Sequence, residues 1–178
     1  EVTLVYGAGT VEPPEGVETV RVESSLEMFR EVLERLKSDR YHLLLAAAAM
    51  ADYSIENPSP VKIPTSEVKE LNVKLKASPK LVDEVKKVSP ETFLVAFKAE
   101  YGVSLEELKR RALEKLEACE ADLVVANDVS KPGIGFGSPY TEVLIVDGKG
   151  EAIHISKALK SEVASKILDV VEERLRRG

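Results

Sequence analysis

Three apolar segments of this chain each end in small or polar residues, and this repeated pattern limits the possible folds more than any other feature. The segments cover residues 42–48, 92–97 and 122–126. Strands that are apolar on both faces are typical of a parallel sheet that helices cover on both sides. We therefore expect the first segment to lie at the centre of such a sheet.

Helical and extended patterns alternate along the chain, which predicts right-handed strand–helix–strand crossovers in one sheet. The predicted strands cover residues 2–6, 18–22, 42–48, 72–76, 92–97, 122–126, 142–146 and 152–155. The predicted helices cover residues 26–37, 79–88, 104–120 and 156–177. We expect one domain, residues 1–178, with a three-layer, Rossmann-like α/β fold, a mostly parallel central sheet and a C-terminal antiparallel hairpin.

Two helix starts carry recognisable signals. Ser104 and Glu107 have the spacing of a capping box. Ser78 at the N-cap and Pro79 at the first helical position predict a second helix, whose free N–H groups would form an anion site.

Residues 72–76 alternate strictly between apolar and polar side chains. Such alternation is typical of a strand with one solvated face. A strand that leaves the body of the domain exposes unpaired backbone groups. We therefore expect a protruding dimerisation strand and a homodimer or higher homo-oligomer.

Charge and composition argue against nucleic-acid and membrane partners. The 178 residues carry a formal net charge of −6, and no face is clearly basic. No apolar run is long enough to span a bilayer, and a signal-peptide pattern is absent from the first residues. The single cysteine, Cys119, fits a reducing cytoplasm, where we expect the protein. Because Glu1 leads directly into a strand, we expect a fragment of a longer polypeptide.

Polar side chains follow the ends of the three apolar strands. Parallel strands share their carboxyl edge, where ligands of open α/β sheets bind, so we expect these side chains to surround one crevice. The candidate groups are Asp52, Lys62, Lys98, Glu100, Lys115, Asn127 and Asp128. A glycine-rich loop, residues 131–139 around Phe136, is expected at the same edge.

The alanine run from Ala46 to Ala49, which leads to Asp52, has two interpretations. Without bulk beyond Cβ, these residues would let a flat or phosphorylated ligand approach the backbone N–H groups, while Asp52 holds a metal ion or a hydroxyl group. Alternatively, the small residues let a helix pack on the strand. The lysine of the following proline-rich loop, Lys62, either reaches over a phosphate or is simply solvated.

These residues resemble a known family. The segment Ala47-Ala48-Ala49-Met50-Ala51-Asp52-Tyr53 is similar to Ala-Ala-Val-Ala-Asp-Tyr in phosphopantothenate-cysteine ligase, the synthetase half of the bifunctional coenzyme A biosynthesis protein. Further segments agree in order: Lys62-Ile63 with its lysine-rich loop, Ser78-Pro79-Lys80-Leu81-Val82 with Asn-Pro-Asp-Ile-Val, Phe97-Lys98-Ala99-Glu100 with Gly-Phe-Ala-Ala-Glu-Thr, and Ala126-Asn127-Asp128-Val129 with Ala-Asn-Asp-Val. The resemblance covers essentially the whole chain.

The resemblance implies a ligase. In this family a nucleoside triphosphate, CTP in the bacterial enzymes and ATP in the animal ones, activates the carboxylate of phosphopantothenate as an acyl nucleotidylate. The amine of cysteine then forms the amide, and Mg²⁺ with one or two lysines offsets the triphosphate charge. CTP is favoured here, although the sequence does not distinguish it from ATP. The sequence leaves open whether a flavin-dependent decarboxylase half is fused upstream, and no flavin is expected in this part.

The resemblance also implies roles for individual residues. Lys62 would be the catalytic lysine of a mobile loop, Asp52 would contact the nucleotide or its Mg²⁺, and Lys115 would reach the triphosphate. The other nucleotide contacts would be Ala46, Ala47, Ala48, Pro79, Lys80, Leu81, Val82 and Phe97, with Ala49, Asn127, Asp128 and Phe136 as further crevice residues. The structural alternatives are a core aromatic for Phe97, a solvated helix face for Lys115 and a strand-end cap for Asn127.

The chain departs from the family's pattern in three places. It begins at the family's second strand, Pro64 occupies a position that is basic in bacterial members, and Cys119 stands where a second phosphate-binding lysine is common. We therefore expect the isolated chain not to turn over. The alternative function is a non-catalytic nucleotide-binding or interaction module. A nicotinamide-dependent oxidoreductase is disfavoured, because Gly7-Ala8-Gly9 does not continue into a dinucleotide fingerprint.

Overall fold

The computed structural model describes residues 1–9, 11–66, 68–135 and 137–177, with the backbone alone at 177. The chain divides into two compact units. The first unit contains Glu1–Glu34 and Ala48–Leu81, and the second contains Arg35–Ala47 and Val82–Gly178. A single domain across the whole chain stays a prediction.

Nine strands and four helices are formed by the described residues. The strands are β1 Thr3–Tyr6, β2 Glu18–Arg21, β3 Leu43–Ala46, β4 Tyr53–Ile55, β5 Leu75–Ala77, β6 Phe93–Glu100, β7 Leu123–Asp128, β8 Tyr140–Asp147 and β9 Ala152–Leu159. The helices are α1 Ser25–Ser38, α2 Val82–Val88, α3 Leu105–Ala118 and α4 Lys160–Arg177. The predicted α/β class is confirmed.

The second unit is built on a five-stranded sheet in the order β3-β6-β7-β8-β9. β3, β6 and β7 run parallel to one another, whereas β8 and β9 add an antiparallel hairpin next to β7. The expected C-terminal hairpin is therefore present. The sheet thus consists of three parallel strands with two antiparallel strands on one side of them.

The position of β3 corrects one expectation. β7, not β3, is the middle strand of the sheet, and β3 lies at one edge. The exposed fraction of Leu45 is 40%, whereas Val124 on β7 is fully buried. An apolar run indicates that the side chains of a strand are buried, but it does not indicate how many neighbouring strands pair with it.

The two faces of this sheet pack against different helices. Side chains from one face of β6, β7, β8 and β9 form an apolar cluster with α4. The cluster comprises Val95, Leu123, Val125, Val143, Ile145, Ile155, Val163, Ile167 and Val171. Helix α3 packs on β6, β7 and β8 and buries Leu108, Ala112 and Leu116.

The first unit contains two short sheets. β1 and β2 pair in parallel, and β4 and β5 pair in antiparallel register. Because β2 and β3 belong to different sheets, the expected crossover between them within one sheet is not formed. Of the strand predicted at 72–76, only the last two residues lie in β5, which ends at Ala77. β4 occupies the start of the stretch expected to be an irregular proline-rich loop.

Three helix predictions need correction. Helix α2 begins at Val82 rather than at Pro79, so the anion site expected on its N–H groups does not start at Ser78. Helix α4 begins at Lys160 rather than at 156, because residues before it continue the backbone pairing of β9 with β8. Leu105, expected to face inward, is 49% exposed in the first turn of α3. No helix among the described residues has the length and apolar character to cross a membrane.

A polar contact joins β6, β7 and α2 at the amino ends of the strands. The Asp122 carboxylate accepts hydrogen bonds from the Leu94 N–H at 2.7 Å and from the Lys86 ammonium at 2.7 Å. The same ammonium donates to the carbonyl of Thr92 at 2.9 Å. The Asp122 carboxylate therefore pairs with both a backbone N–H of β6 and the largely buried ammonium of Lys86.

We expect Asp122→Ala to lower the free energy of unfolding by about 1–3 kcal/mol, because it leaves the Leu94 N–H and the Lys86 ammonium without their carboxylate. Urea unfolding followed by circular dichroism measures this loss. Asp169→Ala, which removes an exposed aspartate of α4, is the matched control and should change stability by less than about 0.5 kcal/mol. Equal effects of the two substitutions would contradict the assignment.

Candidate functional site

The carboxyl ends of β6 and β7 gather most of the predicted polar residues of the second unit. The parallel register places Ala99 beside Asn127 and Glu100 beside Asp128. Lys98 and Glu100 are two residues apart on β6 and therefore share one face of the sheet, the face that α3 covers. Within this unit the two strand ends place Lys98, Glu100 and Asp128 on the same face of the sheet, whereas one crevice shared by all the candidate groups stays a prediction.

Glu100 is the anionic centre of this edge. Its side chain is 11% exposed, and its two oxygens contact the Lys98 ammonium at 3.1 Å and the Arg111 guanidinium at 2.6 Å. Burial opposes ionisation of Glu100, but the hydrogen bonds from Lys98 and Arg111 outweigh it and lower the pKa. Glu100 is therefore a carboxylate at neutral pH, and it cannot act as a general acid there.

The start of α3 fixes the position of Arg111. The Ser104 hydroxyl accepts a hydrogen bond from the Glu107 N–H at 3.2 Å, which confirms the predicted cap. The Glu107 carboxylate then pairs with Arg110 at 2.7 Å and with Arg111 at 2.6 Å. Hydrogen bonds from Arg110 and then Arg111 lower the pKa of Glu107 to about 2. Arg111 is thus held between Glu107 and Glu100.

Asp128 has a structural task. Its exposed fraction is 5%, and one carboxylate oxygen accepts hydrogen bonds from the N–H groups of Gly102 and Ser130, both at 2.9 Å. Burial raises the pKa of Asp128, but these hydrogen bonds, that of Ser130 foremost, lower it overall. Gly102 has φ +68°, which favours glycine, so Asp128 stabilises the turn between β6 and α3.

Lys115 lies one helical turn beyond Arg111 on α3. Its ammonium contacts the Asp83 carboxylate of α2 at 3.1 Å, and its side chain is 19% exposed. The alternative of a solvated helix face is therefore excluded for Lys115. Cys119, one turn further on, is buried, and burial raises the pKa of its thiol despite the nearby Lys115 charge.

Phe97 and Asn127 lie on the α4 side of the sheet. Phe97 is half-buried and packs against the apolar cluster that α4 covers. This contact supports the core-aromatic alternative for most of the ring. Asn127 follows Val125 by two residues, so it shares the same face.

In the first unit, hydrogen bonds hold the segment that leads to Asp52. The Ala51 N–H donates to the Ser25 hydroxyl at 3.0 Å, which ties the segment to the start of α1. The Asp52 carbonyl accepts a hydrogen bond from the Ser78 N–H at 2.8 Å. Asp52 therefore lies next to the Ser78-Pro79 segment, and its side chain is exposed.

The remaining predicted residues are divided between the two units. Ala46 and Ala47 belong to the second unit and Ala48 to the first. Five of the predicted site residues in the first unit have exposed side chains: Ala48, Ala49, Lys62, Pro79 and Lys80. Leu81 is buried at 6% exposure, Val82 opens α2, and Phe136 lies outside the described residues.

Two residues of the site were missed from the sequence. Neither Arg111 nor Asp83 belongs to a recognisable motif, and each is one of several charged residues in its helix. The spacing of Glu107, Arg111 and Lys115 by four residues places them on one helix face, and this is the signal that marks Arg111.

The described residues suit anion binding better than metal binding. Among them, no group of three His, Cys, Asp or Glu side chains is arranged to hold a metal ion. The cations Lys98 and Arg111 contact Glu100 at the carboxyl end of β6, and Lys115 contacts Asp83 one turn further along α3. Each has a carboxylate partner that an anionic ligand would have to replace.

The fold and the site define an α/β domain whose mixed sheet carries paired cations at the carboxyl ends of two parallel strands. Residues 1–175 match the family described as DNA/pantothenate metabolism flavoprotein C-terminal domain. The chain belongs to this family, and the resemblance found in the sequence is confirmed.

Individual relatives agree with this assignment. The chain is 37% identical over 176 residues to the coenzyme A biosynthesis bifunctional protein CoaBC of Thermococcus kodakarensis, covering 98% of this chain and 41% of that protein. It is 31% identical to the protein of the same name from Methanocaldococcus jannaschii, with coverages of 95% and 40%. The chain thus spans about two-fifths of the length of these relatives.

Solved structures show the same fold. The crystal structure of the C-terminal domain of a CoaBC protein superposes with a TM-score of 0.77 at 25% identity, covering all of this chain and 76% of that one. A complex of a Cab2 variant with phosphopantothenate-cysteine shares the fold alone, with a TM-score of 0.56 at 16% identity, covering 80% of this chain and 47% of that one.

We expect Glu100→Gln to reduce stability most at neutral pH. Because the pKa of Glu100 is lower in the folded chain than its ordinary value, the ionised form stabilises the fold above that ordinary value. This contribution is lost as pH falls through the folded pKa. The expected loss is about 1–2 kcal/mol at pH 7 and shrinks below a pH of about 4. Urea unfolding at pH 7 and pH 3 measures it.

Glu106→Gln is the control for this experiment, since Glu106 is an exposed glutamate of α3, six residues after Glu100. It should leave stability nearly unchanged at both pH values. A loss for Glu100→Gln that is the same at pH 7 and pH 3 would show that the ionised carboxylate does not carry the effect.

Proposed function

We propose that this chain is the synthetase domain of a phosphopantothenate-cysteine ligase in coenzyme A biosynthesis. The match of residues 1–175 to the family carries the proposal. The bifunctional name of its relatives, and the share of their length that the chain leaves uncovered, support a fused decarboxylase domain upstream. The ligand of the Cab2 complex, phosphopantothenate-cysteine, is the product that this reaction would form, with its phosphate retained.

The proposed reaction has two steps. A carboxylate oxygen of phosphopantothenate attacks the α-phosphorus of a nucleoside triphosphate, and pyrophosphate leaves. The cysteine amine then attacks the acyl carbon, forms the amide, loses a proton and releases the nucleoside monophosphate. CTP is the favoured nucleotide, and ATP is the alternative. Activation is required because a carboxylate oxygen is a poor leaving group, whereas a phosphate ester is a good one.

Charge compensation is the task of the cations. We assign Lys62, which is exposed in a loop, to the phosphates and the acyl intermediate, and Lys115 to the triphosphate. For Lys115 this requires the ammonium to leave Asp83, 3.1 Å away. Ala46 to Ala48, Pro79 to Val82 and the exposed edge of Phe97 are proposed to line the nucleotide.

Asp52 is the candidate residue that fits Mg²⁺ as a protein ligand. Asp52 offers a single exposed carboxylate, and Mg²⁺ commonly binds one or two carboxylates together with substrate phosphates. We therefore propose that Asp52 is its protein ligand. The ion would supply positive charge that offsets the triphosphate. A cytoplasmic location is proposed on the same grounds as in the sequence, the single Cys119.

The ligase assay tests the function directly. The complete enzyme, with phosphopantothenate, cysteine and Mg²⁺, should form phosphopantothenoylcysteine with CTP and release pyrophosphate, and ATP, GTP and UTP measure nucleotide preference. Lys62→Ala should lower the rate by about 100-fold, because it removes charge stabilisation of the transition state, while the melting temperature stays unchanged. Nucleotide binding with no product from any nucleotide would favour the non-catalytic module.

Lys69→Ala is the matched control, because Lys69 is another exposed lysine that follows the same proline-rich loop. Its rate should equal that of the unmodified enzyme. A near-normal rate for Lys62→Ala would remove the proposed role of Lys62 while leaving the ligase assignment intact.

We also propose a homodimer that uses the β4–β5 ribbon. Tyr53, Ile55, Val73 and Leu75 on or beside this ribbon are 50–64% exposed. Such a concentration of exposed apolar side chains on a two-stranded sheet is typical of an interface.

Sedimentation at micromolar protein should give the mass of a dimer, and Leu75→Lys should shift it toward the monomer. Leu168→Lys, at a 49% exposed leucine of α4, is the control and should leave the mass unchanged. A monomer mass for the unmodified chain would refute the dimer.

A further inference from the structure

Residues 131–135 of the glycine-rich loop are contacted by two lysines that the proposed mechanism does not use. The Lys157 ammonium donates to the Pro132 carbonyl at 3.4 Å, and the Lys160 ammonium donates to the Gly135 carbonyl at 3.1 Å. Because these carbonyls are three residues apart, both ammonium groups lie over the same short piece of backbone. Both side chains are exposed, so each keeps donors for a ligand.

The backbone of β9 directs Lys157 toward this loop. Between the pairs Val143↔Ile155 and Thr141↔Ala158 the register shifts, which places a β-bulge next to Lys157. Bulges redirect side chains and are common beside binding sites. The Lys157 ammonium also lies 5.5 Å from the centre of the Tyr140 ring, which holds its position.

Gly133 leaves room for this arrangement. Its φ is +73°, and a Cβ atom there would lie 2.8 Å from the Lys157 ammonium. The Ser138 hydroxyl donates to the Gly133 carbonyl at 2.8 Å and accepts from the Tyr140 N–H at 3.1 Å, which closes the loop. The ammonium groups are thus held in place before any ligand binds.

The charge at this loop is not compensated. The nearby Glu142 carboxylate contacts Lys131 at 2.6 Å and His154 at 3.0 Å. The pKa of Glu142 is lowered, and the hydrogen bond from Lys131 is the largest cause. Within the described ranges, neither Lys157 nor Lys160 has a carboxylate within 4.0 Å, whereas Lys98, Arg111 and Lys115 all do. Although the chain has a net charge of −6, this loop has a local excess of positive charge, which would attract a dianion.

We propose that Lys157 and Lys160 form a phosphate-monoester subsite that binds the phosphate group of the phosphopantothenate substrate. The proposal rests on the proposed ligase function and assigns its phosphorylated substrate to these residues. The phosphate would accept hydrogen bonds from the two ammonium groups without displacing a carboxylate. The cations paired with Glu100 and Asp83 would be left for the triphosphate.

Calorimetric titration of the complete enzyme with phosphopantothenate, and separately with pantothenate, tests the subsite. The unmodified enzyme should bind the phosphorylated compound more tightly, because each charge-assisted hydrogen bond is worth about tenfold in affinity. Lys157→Ala and Lys160→Ala should each weaken phosphopantothenate binding by about tenfold, and the double variant should bind the two compounds equally. Lys157→Arg with Lys160→Arg should retain the preference, which separates charge from folding.

Lys149→Ala, at an exposed lysine of the turn between β8 and β9, is the matched control and should bind like the unmodified enzyme. A parallel titration with CTP should be unaffected by the double variant. Loss of CTP binding with phosphopantothenate binding intact would overturn the subsite in favour of the triphosphate. A retained preference in the double variant would overturn the subsite alone, and no binding of phosphopantothenate to the unmodified enzyme would overturn both proposals.

Discussion

The parallel pairing of β6 with β7 is the constraint on which the described site depends. It aligns the last residues of both strands, and the alternation of side chains along each strand then assigns them to opposite faces. Val95, Leu123 and Val125 turn toward α4 and form the apolar cluster. Lys98 and Glu100 turn toward α3. One backbone register therefore both closes the core and positions the charges.

The charges at this edge are balanced before a ligand arrives. Glu100 pairs with Lys98 and Arg111 at this edge, and Asp83 pairs with Lys115 further along α3. An incoming triphosphate would exchange one anionic partner for another, so its net gain per contact is smaller than for an unpaired cation. The carboxylate partners limit the repulsion among these cations in the free protein. Triphosphate binding should therefore depend more on the geometry of the contacts than on the total charge of the site.

Much of the fold was predictable because local signals and tertiary contacts agree. The cap formed by Ser104 and Glu107, the strands β6 and β7 and the C-terminal hairpin were all marked in the sequence. Predictions failed where long-range pairing decides the outcome. Pairing with β8 carries β9 to Leu159, and an apolar run alone did not reveal that β3 is an edge strand.

The site was predictable only in part, for a related reason. Asp128 and Glu100 follow strands and were found, but Arg111 is one charged residue among many on α3. Its significance depends on Glu100, eleven residues earlier, and becomes visible only when the helix is packed on the sheet. Family resemblance supplied roles for Lys62 and Lys115 that no local pattern could provide.

The thiol of Cys119 has a practical consequence. It is the single cysteine of the chain, it closes the end of α3 at 4% exposure, and its pKa is raised by burial. A protonated thiol shielded from solvent reacts slowly with alkylating reagents. Reaction at this one sulfur therefore requires the end of the helix to open, so the rate of chemical labelling reports how often the native packing is lost.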